Sequence, residues 1–118
     1  MKKPKVVCLC GSTKFLDLYR EVTFWETLAG NIVLSVGGTL KRGLGYDDLL
    51  NQLSTEEIVS AKIRLDELHL RKIDMADEII VLSKAGYIGE STAREIAYAT
   101  SLGKPVKYFT DRDSCWLR

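Results

Sequence analysis

The chain has 118 residues, 46% of them hydrophobic and 28% charged, with a formal net charge of +1. This length suits one hydrophobic core, so we expect a single domain over 1–118, and the near-neutral charge argues against a nucleic-acid polymer as partner. No apolar run approaches the roughly 20 residues of a membrane span, and the first residues lead into a strand-like stretch instead of a signal peptide, so we expect no membrane partner and a cytoplasmic location.

Strand-like and helix-like stretches alternate along the first half of the chain. Residues 5–10 form a short apolar run that Gly11 ends, and apolar residues then recur at helical spacing from 14 to 29. A second β-branched run at 32–36 is followed by Gly37-Gly38. The stretch 38–53 has no clear period and predicts a long loop with one helical turn.

The second half repeats the alternation. Ser54 to Glu57 has the form of a capping box and begins a predicted helix that extends to residue 75. A strand at 78–82, a helix at 92–102 and a strand at 106–109 follow. Each strand is a continuous apolar run, which is typical of a parallel sheet covered by helices on both faces.

Three loops follow the strands and should meet at the carboxyl edge of the sheet, where such folds bind ligands. In the first, Gly11-Ser12-Thr13 places amides and hydroxyls at a helix start, which favours an anion. The alternative is a turn glycine with Ser12 or Thr13 as helix cap. Lys41 and Arg42 in the second loop can reach a phosphate or form a solvated basic loop.

Among the carboxylates, Glu95 is the strongest candidate for a catalytic role. A helical wheel of 92–102 directs Ala93, Ile96, Ala97 and Thr100 toward the sheet and Glu95 along the seam between core and cleft. Apolar neighbours there would favour a neutral carboxyl that can act as acid, base or nucleophile. The competing interpretation is a capping box from Thr92 to Glu95, in which Glu95 only bonds the Thr92 amide.

Other polar residues have simple structural interpretations. Glu90 and Arg94 have the spacing of a surface ion pair, and Tyr87 can stack on a base or pack half-buried. The single histidine, His69, suits packing or a helix surface. Asp77 suits the beginning of a strand.

The chain contains three cysteines, and an odd number favours reduced thiols. Cys8 and Cys10 face one side of the first predicted strand. Zinc is disfavoured, because no second cysteine pair supplies further ligands, and small buried side chains are favoured. Cys115 lies in the tail.

The order of these features resembles the nucleoside 2-deoxyribosyltransferase-like superfamily, which includes deoxynucleotide N-glycosidases. The matching residues are Cys10-Gly11-Ser12, Ala76-Asp77, Gly89, Glu95-Ile96-Ala97-Tyr98-Ala99 and Gly103-Lys104-Pro105. They span most of the chain, although 37–53 match nothing in that pattern.

The resemblance implies a Rossmann-like (flavodoxin-like) three-layer sandwich with a parallel sheet of four or five strands. It implies an enzyme that cleaves the N-glycosidic bond of a (deoxy)nucleoside or nucleoside 5′-monophosphate through attack by Glu95 on the anomeric carbon. Water or another base then resolves the glycosyl-enzyme. We expect no cofactor and no metal. The implied substrate-binding residues are Gly11, Ser12, Thr13, His69, Tyr87, Gly89 and Ser91.

Two positions depart from the family pattern. His69 stands where such enzymes often carry an aspartate that holds the sugar hydroxyls, and Glu90 is the acid nearest a second family aspartate. The resemblance also implies a homodimer or larger homo-oligomer, with Trp25 or Trp116 as contacts.

Two other functions stay open. The missing aspartates favour a nucleotide-binding sensor or interaction module without turnover. A phosphoribohydrolase of the lysine-decarboxylase-like group has a Pro-Gly-Gly-x-Gly-Thr-x-x-Glu motif that residues 86–95 loosely echo, although the Pro-Gly-Gly is absent.

Overall fold

The computed structural model describes residues 3–36 and 39–111. The strands are β1 (Val6–Cys10), β2 (Ile32–Leu34), β3 (Glu78–Ser83) and β4 (Val106–Thr110). The helices are α1 (Leu16–Leu28), α2 (Asp47–Leu50), α3 (Thr55–Met75) and α4 (Glu90–Ser101), and a 3-10 turn, Thr13–Phe15, leads into α1. Within those two ranges, no helix combines the length and apolar character needed to cross a membrane.

The four strands form one parallel sheet in the order β2-β1-β3-β4. This is the flavodoxin-like order, and it confirms the predicted α/β class. The chain leaves β1 toward one edge of the sheet and leaves β3 toward the other. The loops after β1 and β3 therefore diverge at the centre of the carboxyl edge, which is where folds of this kind bind ligands.

Helices cover the two faces of the sheet, so the molecule has three layers. Alternate residues of β1 point to opposite faces: Val7 and Leu9 pack with α1, whereas Cys8 and Cys10 pack with α3 and α4. These four side chains are fully buried. Burial of each large apolar side chain in these clusters contributes about 1.5–3 kcal/mol, so β1 is held from both sides.

Both ends of α3 are fixed by side chains. At its start the predicted capping box is formed, with Ser54 Oγ accepting from the Glu57 amide at 3.1 Å and Glu57 Oε1 accepting from the Ser54 amide at 2.9 Å. At its end Lys104 Nζ donates to the carbonyl oxygens of Ile73, Asp74 and Ala76 at 2.8, 2.7 and 2.7 Å. Lys104 thus gives the carbonyls at this helix end a charged partner, and the Ile73 carbonyl also accepts from the Ala76 amide at 3.1 Å.

A side-chain bridge on the outer surface joins α3 to α4. The Tyr98 hydroxyl of α4 donates to Asp74 Oδ1 at 2.6 Å and accepts from Arg71 Nη2 at 3.0 Å. Arg71 and Asp74 also form an ion pair at 3.0 Å within α3. The bridge therefore fixes the axial position of one helix against the other.

The two outer strands differ from the sequence prediction. β2 ends at Leu34, and Ile32 and Tyr108 are 48% and 57% exposed, so β2 and β4 are not buried on both faces. The physical reason is their place at the edges of a four-stranded sheet, where three helices cannot cover every position. Gly37-Gly38, predicted to follow β2, lie outside the described residues.

Several other expectations are confirmed. The loop after β2 contains the single-turn helix α2. Asp77 lies directly before β3, as predicted, and fixes the entry to the strand: its Oδ2 accepts from the Val6 amide at 2.8 Å and its own amide donates to the Val6 carbonyl at 2.7 Å. Trp25 is 45% exposed. Trp116 and Cys115 lie outside the described residues, so the assembly through tryptophans stays a prediction.

Candidate active site

A cavity of about 600 Å³ opens at the carboxyl edge of the sheet. Its walls come from the loop after β1, residues 39–41, one face of α3, and the loop after β3 with the first turns of α4. All eight residues that the sequence assigned to the site line it, namely Gly11, Ser12, Thr13, His69, Tyr87, Gly89, Ser91 and Glu95. The volume is in the range that holds a small metabolite.

The loop after β1 is held tightly against β3. A side chain at Gly11 would place its Cβ 2.8 Å from the Leu82 carbonyl oxygen, so the position has room for glycine alone. The Tyr19 hydroxyl donates to the Gly11 carbonyl at 2.7 Å. Ser12 accepts from the Lys14 amide at 3.3 Å and caps the 3-10 turn, which confirms the structural interpretation of this loop.

The loop after β3 forms the opposite rim. Ala85 and Gly86 adopt positive φ of 51° and 77°, which turns the chain back over the sheet edge. Tyr87 packs edge-on against Phe15 with 5.8 Å between ring centroids, and Lys14 Nζ lies 3.6 Å from the Tyr87 centroid. Tyr87 is thus partly packed, yet 46% of it stays exposed toward the cavity mouth.

The start of α4 excludes the capping interpretation of Glu95. The helix begins at Glu90 with Gly89 as N-cap, two residues before the predicted start, so Glu95 lies beyond the first turn. Thr92 is buried at 4% exposure and is not a cap. The prediction failed because the spacing of apolar residues shows which residues share one side of a helix, but does not show at which residue the helix begins.

The helical wheel gave an inner face for α4 that is wrong for three of its four residues. Thr92 and Ala99 are buried against the sheet. Of the residues predicted to face it, Ile96 is partly buried and packs against the core, whereas Ala93, Ala97 and Thr100 are exposed. Small side chains suit either side, so the pattern did not define the rotation of the helix about its axis. The predicted ion pair of Glu90 with Arg94 is also wrong among the described residues, because Arg94 Nη2 donates to Ser91 Oγ at 3.3 Å.

Glu95 lies on the cavity wall with 16% of its side chain exposed. Its Oε1 is 3.9 Å from His69 Nε2. Burial raises the pKa of the Glu95 carboxyl above its usual value, and the facing imidazole opposes that rise. Glu95 is therefore a partly desolvated carboxyl that faces an open volume.

His69 reaches the same cavity from α3 and is 8% exposed. Its Nε2 lies 3.4 Å from Cys10 Sγ and 3.7 Å from Cys8 Sγ, beneath the cavity wall. Burial lowers the pKa of the imidazole, but Cys8 and Glu95 raise it by more, and the net shift is upward. The Cys10 thiol and His69 lower the pKa of Cys8 to about 5 against the effect of burial.

This contact between the histidine and the two thiols was not predicted from the sequence. Zinc was disfavoured because the chain has no second cysteine pair, yet the single histidine supplies a third donor atom, and the three donor atoms lie within 4.8 Å of one another. The available signal was the shared direction of the two cysteines on β1. It became informative only once α3 was known to cover that face.

The inner face of α3 was also missed as a cavity wall. Ile58, Lys62, Leu65 and Asp66 line the cavity at helical spacing, and Lys62 pairs with Asp66 at 3.3 Å. Of the two basic residues predicted to reach a phosphate, Lys41 lines the cavity. Arg42 instead donates to Asn51 Oδ1 at 2.6 Å.

Known structures share the architecture of this chain. A 2-deoxyribosyltransferase from Bacillus psychrosaccharolyticus superposes with a TM-score of 0.62 and 19% sequence identity, covering 89% of this chain and 72% of that one. A 2-deoxyribosyltransferase from Leishmania mexicana gives a TM-score of 0.62 and 18% identity, covering 91% of this chain and 65% of that one.

No protein-family model and no curated protein matches the sequence. At 18 to 19% identity the likeness concerns the fold. The chain has a nucleoside 2-deoxyribosyltransferase-like fold, as the sequence resemblance predicted. It spans less than two thirds of the Leishmania protein and somewhat more than two thirds of the Bacillus protein.

Proposed function

We propose that the chain cleaves the N-glycosidic bond of a (deoxy)nucleoside or nucleoside 5′-monophosphate, with Glu95 as nucleophile. The observation that carries this proposal is the position of Glu95, a partly buried carboxyl beside a cavity of about 600 Å³ and remote from the capping position of α4. The fold shared with two 2-deoxyribosyltransferases supports the same reaction class.

The reaction takes two steps. A Glu95 carboxylate oxygen forms a bond to the anomeric carbon as the bond to the base breaks, and the departing base takes up a proton from solvent, which regains one from the attacking water or base in the second step. Water or a second base then attacks the same carbon, the ester bond breaks, and Glu95 leaves as a carboxylate. Attack requires the ionised carboxylate, and the facing His69 favours that form by lowering the pKa that burial has raised.

The surrounding residues suit the two ends of such a substrate. Ser12, Thr13 and Ser91 present hydroxyl groups on the wall shared with Glu95, where they can bind a sugar or phosphate. Lys41 supplies a cation on the same cavity. Tyr87 at the mouth offers an exposed ring on which a base can stack.

The test replaces Glu95 with Gln and measures base release by chromatography. The substrates are the 2′-deoxynucleosides, their 5′-monophosphates and the matching ribose compounds, each with and without a second base as acceptor. We expect Glu95→Gln to lose at least about 10³-fold in turnover, or about 4 kcal/mol of barrier at 1.36 kcal/mol per tenfold. Glu56→Gln is the matched control, because Glu56 is an exposed carboxylate that does not line the cavity.

Two results would decide against the proposal or refine it. Unchanged turnover in a folded Glu95→Gln variant refutes Glu95 as nucleophile. Mass spectrometry of acid-quenched wild-type protein should show one deoxyribosyl group on a peptide containing Glu95, and the Gln variant should show none. Cleavage restricted to ribose 5′-monophosphates would instead support the phosphoribohydrolase alternative.

One observation favours a second function, a nucleotide-binding module without turnover. His69 replaces the family aspartate, and its Nε2 lies near two thiols as well as Glu95. Calorimetry that shows nucleotide binding, combined with no base release over hours, would establish this second function.

A further inference from the structure

Cys8, Cys10 and His69 place three strong metal-binding atoms together in the interior. Their donor atoms lie within 4.8 Å of one another, and both thiols are fully buried. The side chains come from the central strand β1 and from α3, so the cluster joins two layers of the fold. The proposed glycosidase reaction uses neither thiol.

The distances match those of a tetrahedral zinc ion. Zinc binds cysteine sulfur at about 2.3 Å and histidine nitrogen at about 2.0–2.1 Å, so a sulfur and a nitrogen on one zinc ion are separated by about 3.6 Å. In the protein the two sulfur-to-Nε2 distances are 3.4 and 3.7 Å. All three donor atoms lie within 4.8 Å of one another, which is close to the separations around one ion.

Glu95 is in place to supply a fourth donor. Its Oε1 lies 3.9 Å from His69 Nε2, against about 3.3 Å for nitrogen and oxygen on one zinc ion. Two cysteines, a histidine and a carboxylate are all ordinary zinc ligands. An ion can reach them through the cavity, which both His69 and Glu95 line.

We propose that Cys8, Cys10 and His69 form a zinc-binding site that the Glu95 carboxylate completes. Each thiol loses its proton to solvent on binding, so the two thiolates and the carboxylate together carry three negative charges against the two positive charges of the ion. The resulting charge of −1 lies near Lys72, whose charge acts on both Cys8 and His69. This inference does not depend on the glycosidase proposal.

The supporting framework is rigid enough to hold such a site. β1 is paired on both sides, with Cys8 opposite Leu34 and Ile79. On α3, Lys72 Nζ donates to the Ser35 carbonyl at 2.7 Å one turn after His69, and Lys104 holds the end of the helix. Preorganised donors of this kind are what a buried metal site requires.

The test uses the full chain, reduced and freed of metal with a chelator, and titrates it with Co²⁺ and then Zn²⁺. We expect one Co²⁺ per chain, with the thiolate-to-cobalt absorption bands of a tetrahedral site, and displacement by Zn²⁺. Competition with a chromophoric chelator gives the zinc affinity. Absence of thiolate bands in the wild-type protein overturns the proposal, and this measurement needs no variant that has to fold.

Variants then assign the ligands, with circular dichroism as a check of folding. Cys8→Ser, Cys10→Ser and His69→Asn should each weaken zinc binding by at least about 100-fold, and Glu95→Gln by about 10-fold. Cys115→Ser is the matched control, a third thiol that should leave the affinity unchanged. Wild-type affinity in folded Cys8→Ser and Cys10→Ser variants would show that the thiols only hydrogen-bond to His69, and would overturn the site. Wild-type affinity in Glu95→Gln would overturn its assignment as fourth ligand.

Discussion

Replacement of Lys104 by Met should destabilise the protein more than loss of one surface charge can explain. Lys104 follows α4, but its ammonium group donates to three carbonyl oxygens at the end of α3, at 2.7 to 2.8 Å. Met keeps most of the apolar stem and removes all three bonds. The carbonyls of Ile73 and Ala76 then lose a partner in a partly buried place.

The magnitude follows from the bonds lost. A hydrogen bond to a charged group contributes about 1.5–3 kcal/mol, and a cation at a helix end adds about 0.3–1 kcal/mol. The three bonds share one donor, and the Asp74 carbonyl is exposed, so they do not add fully. We expect a loss of about 2–3 kcal/mol, equivalent to about 10 °C in Tm at roughly 2.1 cal/mol/K of unfolding entropy per residue.

Urea unfolding followed by circular dichroism measures this change. Lys107→Met is the matched control, since it removes another lysine three residues away whose side chain is 58% exposed and whose ammonium is 3.0 Å from Glu78. Glu78 is buried but keeps Lys5 as a partner at 2.9 Å, so we expect the loss of this pair to cost about 1 kcal/mol or less. The reasoning is refuted if Lys104→Met is no less stable than Lys107→Met.

Three further predictions concern the loop after β1, acid stability and metal inhibition. Gly11→Ala should lower the free energy of unfolding by about 2–4 kcal/mol and abolish most nucleotide binding, because the added methyl group meets the Leu82 carbonyl oxygen at 2.8 Å. Gly30 also has a positive φ but has open space around it, so Gly30→Ala should lower the free energy of unfolding by only about 1 kcal/mol in the same urea assay. Equal losses in the two variants would contradict the clash. Burial raises the pKa of Glu78, but its two lysine partners lower it by more, so the pKa in the folded protein lies below its ordinary value of 4.5. The ionised carboxylate therefore stabilises the protein fully above pH 4.5, and this stabilisation is lost as the pH falls through the lower pKa of the folded state. Glu78→Gln should then show a smaller decrease in Tm between about pH 5 and 3 than the wild-type protein. An unchanged slope would argue against this role of Glu78. If both proposals hold, buffered Zn²⁺ should reduce base release by more than about 10-fold and a chelator should restore it, whereas full turnover of the zinc-loaded protein would show that the metal leaves the nucleophile free.

The architecture was predictable because its signals are local. Continuous apolar runs identified β1 and β3, the Ser54 capping box located the start of α3, and the position of glycine loops after strands predicted which edge carries the site. Each signal follows from the chemistry of a few adjacent residues. The parallel order of strands then brings the loops together without further information.

The interior contacts were not predictable for a geometric reason. Periodicity assigns residues to one side of a helix but does not give the rotation of the helix about its axis, so Ala93 and Ala97 were placed inward and are exposed. The same limit hid the approach of His69 to Cys8 and Cys10, which depends on the packing of α3 over β1. Lys104 was interpreted only as part of a helix stop, because its bonds reach residues 28 to 31 positions earlier.

The Tyr98 bridge between α3 and α4 makes the spacing of His69 and Glu95 adjustable from the exterior. Each helix contributes one of these two residues, and a slip of one residue along an axis moves a side chain by about 1.5 Å. The phenol lies on the outer surface with Arg71 and Asp74, and none of the three lines the cavity. Tyr98→Phe would therefore change the distance between the Glu95 carboxyl and the His69 imidazole from outside the cavity. The residues that line the cavity would all stay the same.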